Sequence, residues 1–306
     1  MALLLLAGCT RPPHGADPTA PPAIPAPTQS PLAPTATTTS TPAPATSPTS
    51  TSTPLTPTYT RTPTLTPTPP VWQTLRAGVS QTYLTAPTPG AEVLSYVYAL
   101  RIDPDQMVFQ VHYDRREPHM IDEWQALTGA PILFNGGFFS GEGTPVGRIV
   151  SDGTLYGAPL NYGERTIGVA GLFTVLEDEV QIHVLGRGNY NPRGMRFDQA
   201  VESYPILLLP GGQPTYLTET GERARRTVIA LDTQGRVVVL LSDLPIFSLY
   251  ELSHWLAASG LNLEVALNLD GGRSSGLIAA LPGGGAFIPS YVPLPVVIAA
   301  YPRYEQ

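Results

Sequence analysis

Two short runs combine a polar side chain with paired glycines at the end of an apolar stretch: Asn135-Gly136-Gly137-Phe138-Phe139 and Asn268-Leu269-Asp270-Gly271-Gly272-Arg273-Ser274-Ser275. Glycine pairs permit a tight turn and let backbone N–H groups come close to a ligand. An amide or carboxylate held beside such N–H groups suits the binding of an oxyanion or a sugar hydroxyl. The same residues also suit a purely structural turn, in which the carboxylate accepts hydrogen bonds from its own loop.

Other chemistries are excluded by what the chain lacks. All 17 basic residues are arginine, so neither Schiff-base lysine chemistry nor a lysine-dependent phosphate loop is available. Cys9 is the only cysteine, which removes disulfides, thiolate zinc sites and a CxxC redox pair. His112, His119, His183 and His254 show no metal-ligand spacing, and His14 lies in a proline-rich tract. No cofactor is called for, although Asp243 and Asp270 leave room for a carboxylate-bound Ca²⁺ or Mg²⁺. A formal charge of -7 without a basic run argues against a nucleic-acid partner.

Four motifs occur in order: Asn135-Gly-Gly-Phe-Phe, Gly147-Arg148-Ile149-Val150-Ser151-Asp152-Gly153, Arg226-Thr227-Val228-Ile229 and Ala266-Leu267-Asn268-Leu269-Asp270-Gly271-Gly272. In this combination the chain, from Thr128 to Tyr301, resembles the phosphodiester glycosidase domain family, whose bacterial members are linked to envelope polysaccharide. Two positions depart from it: the family commonly has Gly where Arg273 stands, and Ile-Gly where this chain has Ile229-Ala230. The resemblance implies hydrolysis of the bond between an anomeric carbon and a phosphodiester oxygen. A phosphodiester leaves as a stable anion, so it needs neutralisation more than protonation, and a guanidinium can hold it bidentately. Arg226 is the first choice for that clamp, with Arg148 and Arg273 as others. The sugar side needs a carboxylate, as nucleophile or as base for water. Asp270 is the leading candidate, Asp243 the second and Glu142 a partner. Asn135, Asn268, Ser274 and the amides of Gly136, Gly137, Gly271 and Gly272 are expected to bind phosphate oxygens or sugar hydroxyls. The competing reading is a non-catalytic glycan-binding module.

The elements that must position these residues are strands and two helices. Val93 to Ile102 and Met107 to Tyr113 read as a hairpin around Asp103-Pro104-Asp105-Gln106, and Thr227 to Leu231 with Arg236 to Leu241 as another. Ser248-Leu249-Tyr250-Glu251 has the spacing of a capping box, Leu249, Leu252 and Leu256 recur at helical period, and Gly260 stops the helix. Between strands Arg236 to Ser242 and Glu264 to Leu269, that helix predicts a parallel strand-helix-strand unit with Asp243 and Asp270 at one end. Helix Ile121 to Thr128 before strand Pro131 to Phe134 makes a similar unit, which suggests an internal duplication. The expected fold is α+β: a mixed β-sheet with hairpins plus parallel strand-helix-strand units, in a single compact domain over 71–306.

The first 70 residues differ. Leu3 to Leu6 is a short apolar run, and Leu6-Ala7-Gly8-Cys9 looks like a lipobox that leaves Cys9 as a lipidated N-terminus, so residues 1–9 read as the remnant of a signal peptide. The run is too short to span a bilayer, so membrane contact is expected through the lipid alone. Residues 11–70 hold 18 Pro, 18 Thr, 8 Ala and 5 Ser, which leaves almost nothing apolar to bury. Residues 10–70 therefore read as a disordered, extended spacer. Together these features predict an extracytoplasmic, surface-anchored domain that acts on cell-envelope polysaccharide or exopolysaccharide.

Overall fold

The computed structural model describes residues 69–87, 94–160, 169–186, 196–215 and 218–303, which belong to one structural unit. Cys9, the lipobox and nearly all of the spacer lie outside the described residues. In chain order the elements are β1 (Gln73–Arg76), β2 (Val79–Pro87), β3 (Leu94–Ile102), β4 (Met107–Tyr113), helix α1 (Ile121–Thr128) and β5 (Ile132–Asn135). There follow β6 (Ile149–Ser151), β7 (Thr154–Tyr156), β8 (Gly171–Leu176), β9 (Glu179–Val184), β10 (Gln199–Ser203), β11 (Ile206–Leu209) and β12 (Gln213–Pro214). The remainder holds β13 (Ala224–Asp232), β14 (Val237–Phe247), helix α2 (Leu249–Ala257), β15 (Leu263–Asn268), β16 (Leu277–Leu281), β17 (Gly284–Ile288) and β18 (Val296–Pro302).

Three sheets result. The largest runs β1-β2-β3-β14-β13-β15-β11-β12, the second β7-β6-β10-β8-β9 and the third β17-β16-β5-β18-β4. Phe109 and Phe134 of the third sheet, Phe173 and Val201 of the second, and Tyr98 and Leu267 of the first meet in one core cluster. Helix α2 seals the outer face of the first sheet, where Val228, Leu240 and Ala266 join Leu252 and Leu256. Helix α1 does the same for the third sheet, with Trp124 against Leu133 and Val297. Strands covered on both faces read as continuous apolar runs, which is why Val296 to Ala300 shows no alternation.

The fold is mainly β, and this corrects the α+β expectation. Every strand pair among the described residues is antiparallel, as in β13 with β14, β13 with β15, and β18 with both β4 and β5. β14 and β15 do run in the same direction on either side of α2, but β13 lies between them, antiparallel to both. β4, α1 and β5 repeat the arrangement with β18 inserted. Each helix therefore spans two strand spacings, about 10 Å, instead of linking adjacent parallel partners. The expected hairpin of β3 with β4 is also corrected. The turn at Asp103 is present, with Asp103 O accepting from Gln106 N and Met107 N (3.1 and 3.0 Å). It passes the chain from one sheet to another, because both edges of β3 are taken by β2 and β14. The hairpin of β13 and β14 pairs as expected, Thr227 with Leu241 and Leu231 with Val237.

The capping box of α2 is formed: Ser248 Oγ accepts from Glu251 N (3.1 Å) and Ser248 N donates to Glu251 Oε2 (2.9 Å). The helix ends at Ala257, before Gly260.

Candidate active site

Three strand ends converge on the Asn135 amide. Its Nδ2 donates to the carbonyls of Asp270 (2.7 Å) and Gly136 (3.3 Å), and its Oδ1 accepts from Thr227 Oγ1 (2.8 Å) and Gly276 N (3.1 Å). The side chain is buried, and all four of its hydrogen-bonding positions are used inside the protein. Asn135 thus ties β5 to β13 and to the turn after β15. Asp270 N donates to Gly136 O (3.1 Å) and Leu269 N to Thr227 O (2.9 Å), so the turn is held from both sides.

Asp270 sits in that turn with its carboxyl largely withdrawn from water. Burial pushes its pKa up from 3.8 to about 6, against the hydrogen bonds from the Ser274 side chain and the Gly271 amide, which favour the ionised form. Gly271 N donates to Asp270 Oδ1 at 2.8 Å. The close approach here requires glycine: a Cβ on Gly271 would lie 2.9 Å from the Arg225 carbonyl oxygen, and Gly272 takes a φ of +61°. Three of the four amides expected to face a ligand are engaged internally, Gly136 N on Val296 O, Gly271 N on Asp270, and Gly272 N on Arg225 O.

A bulge between Ala224 and Arg226 interrupts β13 beside this turn. Arg226 donates through Nε to Phe247 O (3.2 Å) and through Nη2 to Glu222 O (2.9 Å). Its Nη1 lies 4.0 Å from where a Gly271 Cβ would stand. Arg225, which sequence reasoning passed over, donates to Asp243 Oδ1 (2.9 Å), Pro289 O (3.0 Å) and Gly272 O (3.5 Å), and its guanidinium stacks at 4.2 Å on Tyr291. Asp243 is half-exposed and reaches the site only through Arg225. Arg273 is exposed and donates to Tyr291 O (3.1 Å). Asn268 donates to Tyr204 O (3.0 Å), while its Oδ1 and the Ser275 Oγ are buried with no partner among the described residues. Tyr204 stacks on Phe138, centroids 4.6 Å apart, beside the second glycine of the Asn-Gly-Gly run.

Two candidates stand elsewhere. Glu142 occupies an exposed turn and pairs with Arg115 (3.3 Å). Arg148 is committed to Glu202, a fully buried carboxylate that accepts from Arg148 Nε (2.7 Å), Arg148 N (3.1 Å) and Leu160 N (3.2 Å). Gly137 packs on the same residue, since a Cβ there would fall 2.9 Å from Glu202 O. Glu202 carries no motif, and its strand, Gln-Ala-Val-Glu-Ser, is buried without being apolar, so nothing in the sequence marks it. Arg148→Met is expected to cost about 3–5 kcal/mol in urea unfolding by removing the Nε–carboxylate pair of a fully buried Glu202, and Glu202→Met added to it to recover most of that loss. Equal stabilities for the single variant and the parent would show that the pair is not what holds this region. Among the described residues no group of three or more His, Cys, Asp or Glu side chains is placed to hold a metal ion.

Residues 128–294 match the model of a family described as phosphodiester glycosidase. Among solved structures, the chain is similar to the zebrafish N-acetylglucosamine-1-phosphodiester alpha-N-acetylglucosaminidase catalytic domain auto-inhibited by its pro-peptide. The identity is 18%, the TM-score 0.55, and the match covers 74% of this chain and 84% of that one. A hypothetical protein from Synechocystis shares 16% identity at a TM-score of 0.52, over 77% of this chain and 64% of the other. At these identities the likeness is one of fold. No curated protein matches.

Proposed function

This chain belongs to the phosphodiester glycosidase family, and from that premise we propose that it is an exported, lipid-anchored hydrolase that cleaves sugar-1-phosphodiester bonds in envelope or extracellular polysaccharide. The family supplies the reaction class and a glycan-type substrate. The observation that carries the reading to particular residues is Asp270, a largely buried carboxyl with a pKa near 6, fixed by three strand ends. At pH 7 such a group is ionised by about ten to one, ready to act as nucleophile or as base for water. No second carboxyl beside it is needed, because the departing phosphodiester is a stable anion. Arg225 and Arg226, brought to the turn by the bulge in β13, offer the cationic surroundings that anion requires. The stacked pair of Phe138 and Tyr204 offers a platform for a sugar ring. Export and anchoring are supported by Leu6-Ala7-Gly8-Cys9 and by the Pro/Thr spacer behind it.

The test is release of free sugar by the full chain from a panel of sugar-1-phosphodiesters that includes N-acetylglucosamine-1-phosphodiesters. Release from at least one member is expected. No release from any, together with retained glycan binding, would favour the non-catalytic module instead.

A further inference from the structure

Among the described residues, Trp72, Thr74, Arg76, Ser80, Arg101 and Arg236 line an open polar cavity of about 250 Å³. Register builds its floor. Thr74 pairs with Ser80, Ser80 with Arg101 and Arg101 with Val238, so the row crosses β1, β2, β3 and β14. Val238 belongs to the cluster beneath α2, which places the row on that face of the sheet. From Arg236 to Ser242, which pairs with Arg226, β14 covers about 20 Å. The cavity is therefore distinct from the Asp270 turn.

Its charge is not balanced internally. Arg236 is neutralised by Asp232, with Nε at 2.8 Å and Nη2 at 2.7 Å from one carboxylate oxygen. Arg101 donates through Nε to Ser80 Oγ (3.3 Å) and lies 4.1 Å over the Trp72 ring, yet neither it nor Arg76 forms an ion pair among the described residues. Asp103, the acidic residue of the lining, spends one oxygen on Asp105 N (2.9 Å). Burial and the neighbouring Arg236 push the Arg101 pKa down, and Asp232 offsets part of this without reversing it. A bound anion relieves both effects and meets the forked donors that Arg101 leaves open. The volume is below the roughly 300–1,000 Å³ of pockets that enclose drug-sized ligands, so it suits one phosphate with its flanking groups and not an oligomer.

We propose that this cavity binds a phosphodiester group of the same anionic polymer that the Asp270 site cleaves, several repeat units away from the bond being broken; the choice of polymer rests on the proposed hydrolysis. Occupying both sites makes the second contact intramolecular, so the cavity raises affinity for polymer and not for a small substrate.

The experiment is calorimetric titration of the full chain with inorganic phosphate, poly(glycerol phosphate), neutral dextran and phosphatidylglycerol vesicles, in the parent, Arg76→Ala and Arg76→Ala/Arg101→Gln. Polymer affinity is expected to fall about tenfold in the double variant and by less in Arg76→Ala, whose side chain makes no hydrogen bond or ion pair among the described residues. Turnover of a small sugar-1-phosphodiester is expected to stay within about twofold of the parent. Undiminished polymer affinity in the double variant overturns the proposal. So does equal affinity for dextran, or a preference for phosphatidylglycerol vesicles over the polymer. If no small sugar-1-phosphodiester is hydrolysed but the double variant still loses polymer affinity, the cavity stands and the hydrolase reading falls.

Discussion

Asp270→Asn is expected to lower kcat/KM for sugar release by roughly a thousandfold or more, while making the native fold more stable at pH 8. The two effects have one cause. Burial raises the Asp270 pKa from 3.8 to about 6, so at pH 8 the folded protein holds a carboxylate where it is less favourable than in the unfolded chain. The sign follows from linkage: the contribution of a group with a raised native pKa is fully present below its unfolded value, near 4, and is lost as pH rises through 6. At about 1.36 kcal/mol per pH unit, the full loss is about 3 kcal/mol, an upper bound because the site retains some solvent. Asparagine carries no such penalty, and its amide oxygen can still accept from Gly271 N and Ser274. Urea unfolding should therefore find parent and variant similar near pH 4, with the variant ahead by up to about 3 kcal/mol at pH 8. In the parent, kcat/KM should rise with pH through about 6 and reach a plateau without an alkaline fall, since no general acid is required for the leaving group. A variant that loses activity and stability together at pH 8 would identify Asp270 as a structural cap for its own turn, not as the reacting carboxylate.

How much of this was legible in the sequence depended on the range over which each feature is determined. The α2 capping box and the hairpin of β13 with β14 are local, and their residues announce them. The Asp270 turn is also local: an apolar strand, a carboxylate and two glycines. Parallel pairing failed as an expectation because helix period and a strand on either side do not reveal what lies between the strands. β18 reaches its place between β4 and β5 from the far end of the chain, and nothing in residues 107–135 encodes its arrival. Arg226 was preferred for its place at a strand start, and that signal says nothing of Arg225, which the bulge between Ala224 and Arg226 also sets at the Asp-Gly-Gly turn. Glu142 stood out by its glycine neighbours, yet those neighbours make an exposed turn. Glu202 had no neighbours of note and is fully buried by the fold.

The Asn135 amide was expected to touch substrate, and its hydrogen bonds assign it instead to positioning. Asn135→Ala should cost about 3–5 kcal/mol, because it leaves the Thr227 hydroxyl, the Gly276 amide and the Asp270 carbonyl without their buried partner. Against a typical total of 5–15 kcal/mol, that loss is a substantial part of the stability of such a domain. The variant that remains folded should also turn over roughly a hundredfold more slowly, since the Asp270 turn loses the side-chain bond that ties it to β5 and a displacement near 1 Å is enough for that effect. Asn135→Asp separates positioning from bulk stability. It keeps acceptors for Thr227 and Gly276 but sets a carboxylate oxygen against the carbonyls of Asp270 and Gly136, and adds a negative charge next to the Asp270 turn. A nearby like charge disfavours ionisation, so the rising limb of the pH–rate profile should move to the alkaline side of 6. A profile unchanged in Asn135→Asp, with near-parent stability and rate in Asn135→Ala, would mean that the three strand ends are held by their backbone bonds alone and that the amide between them positions nothing.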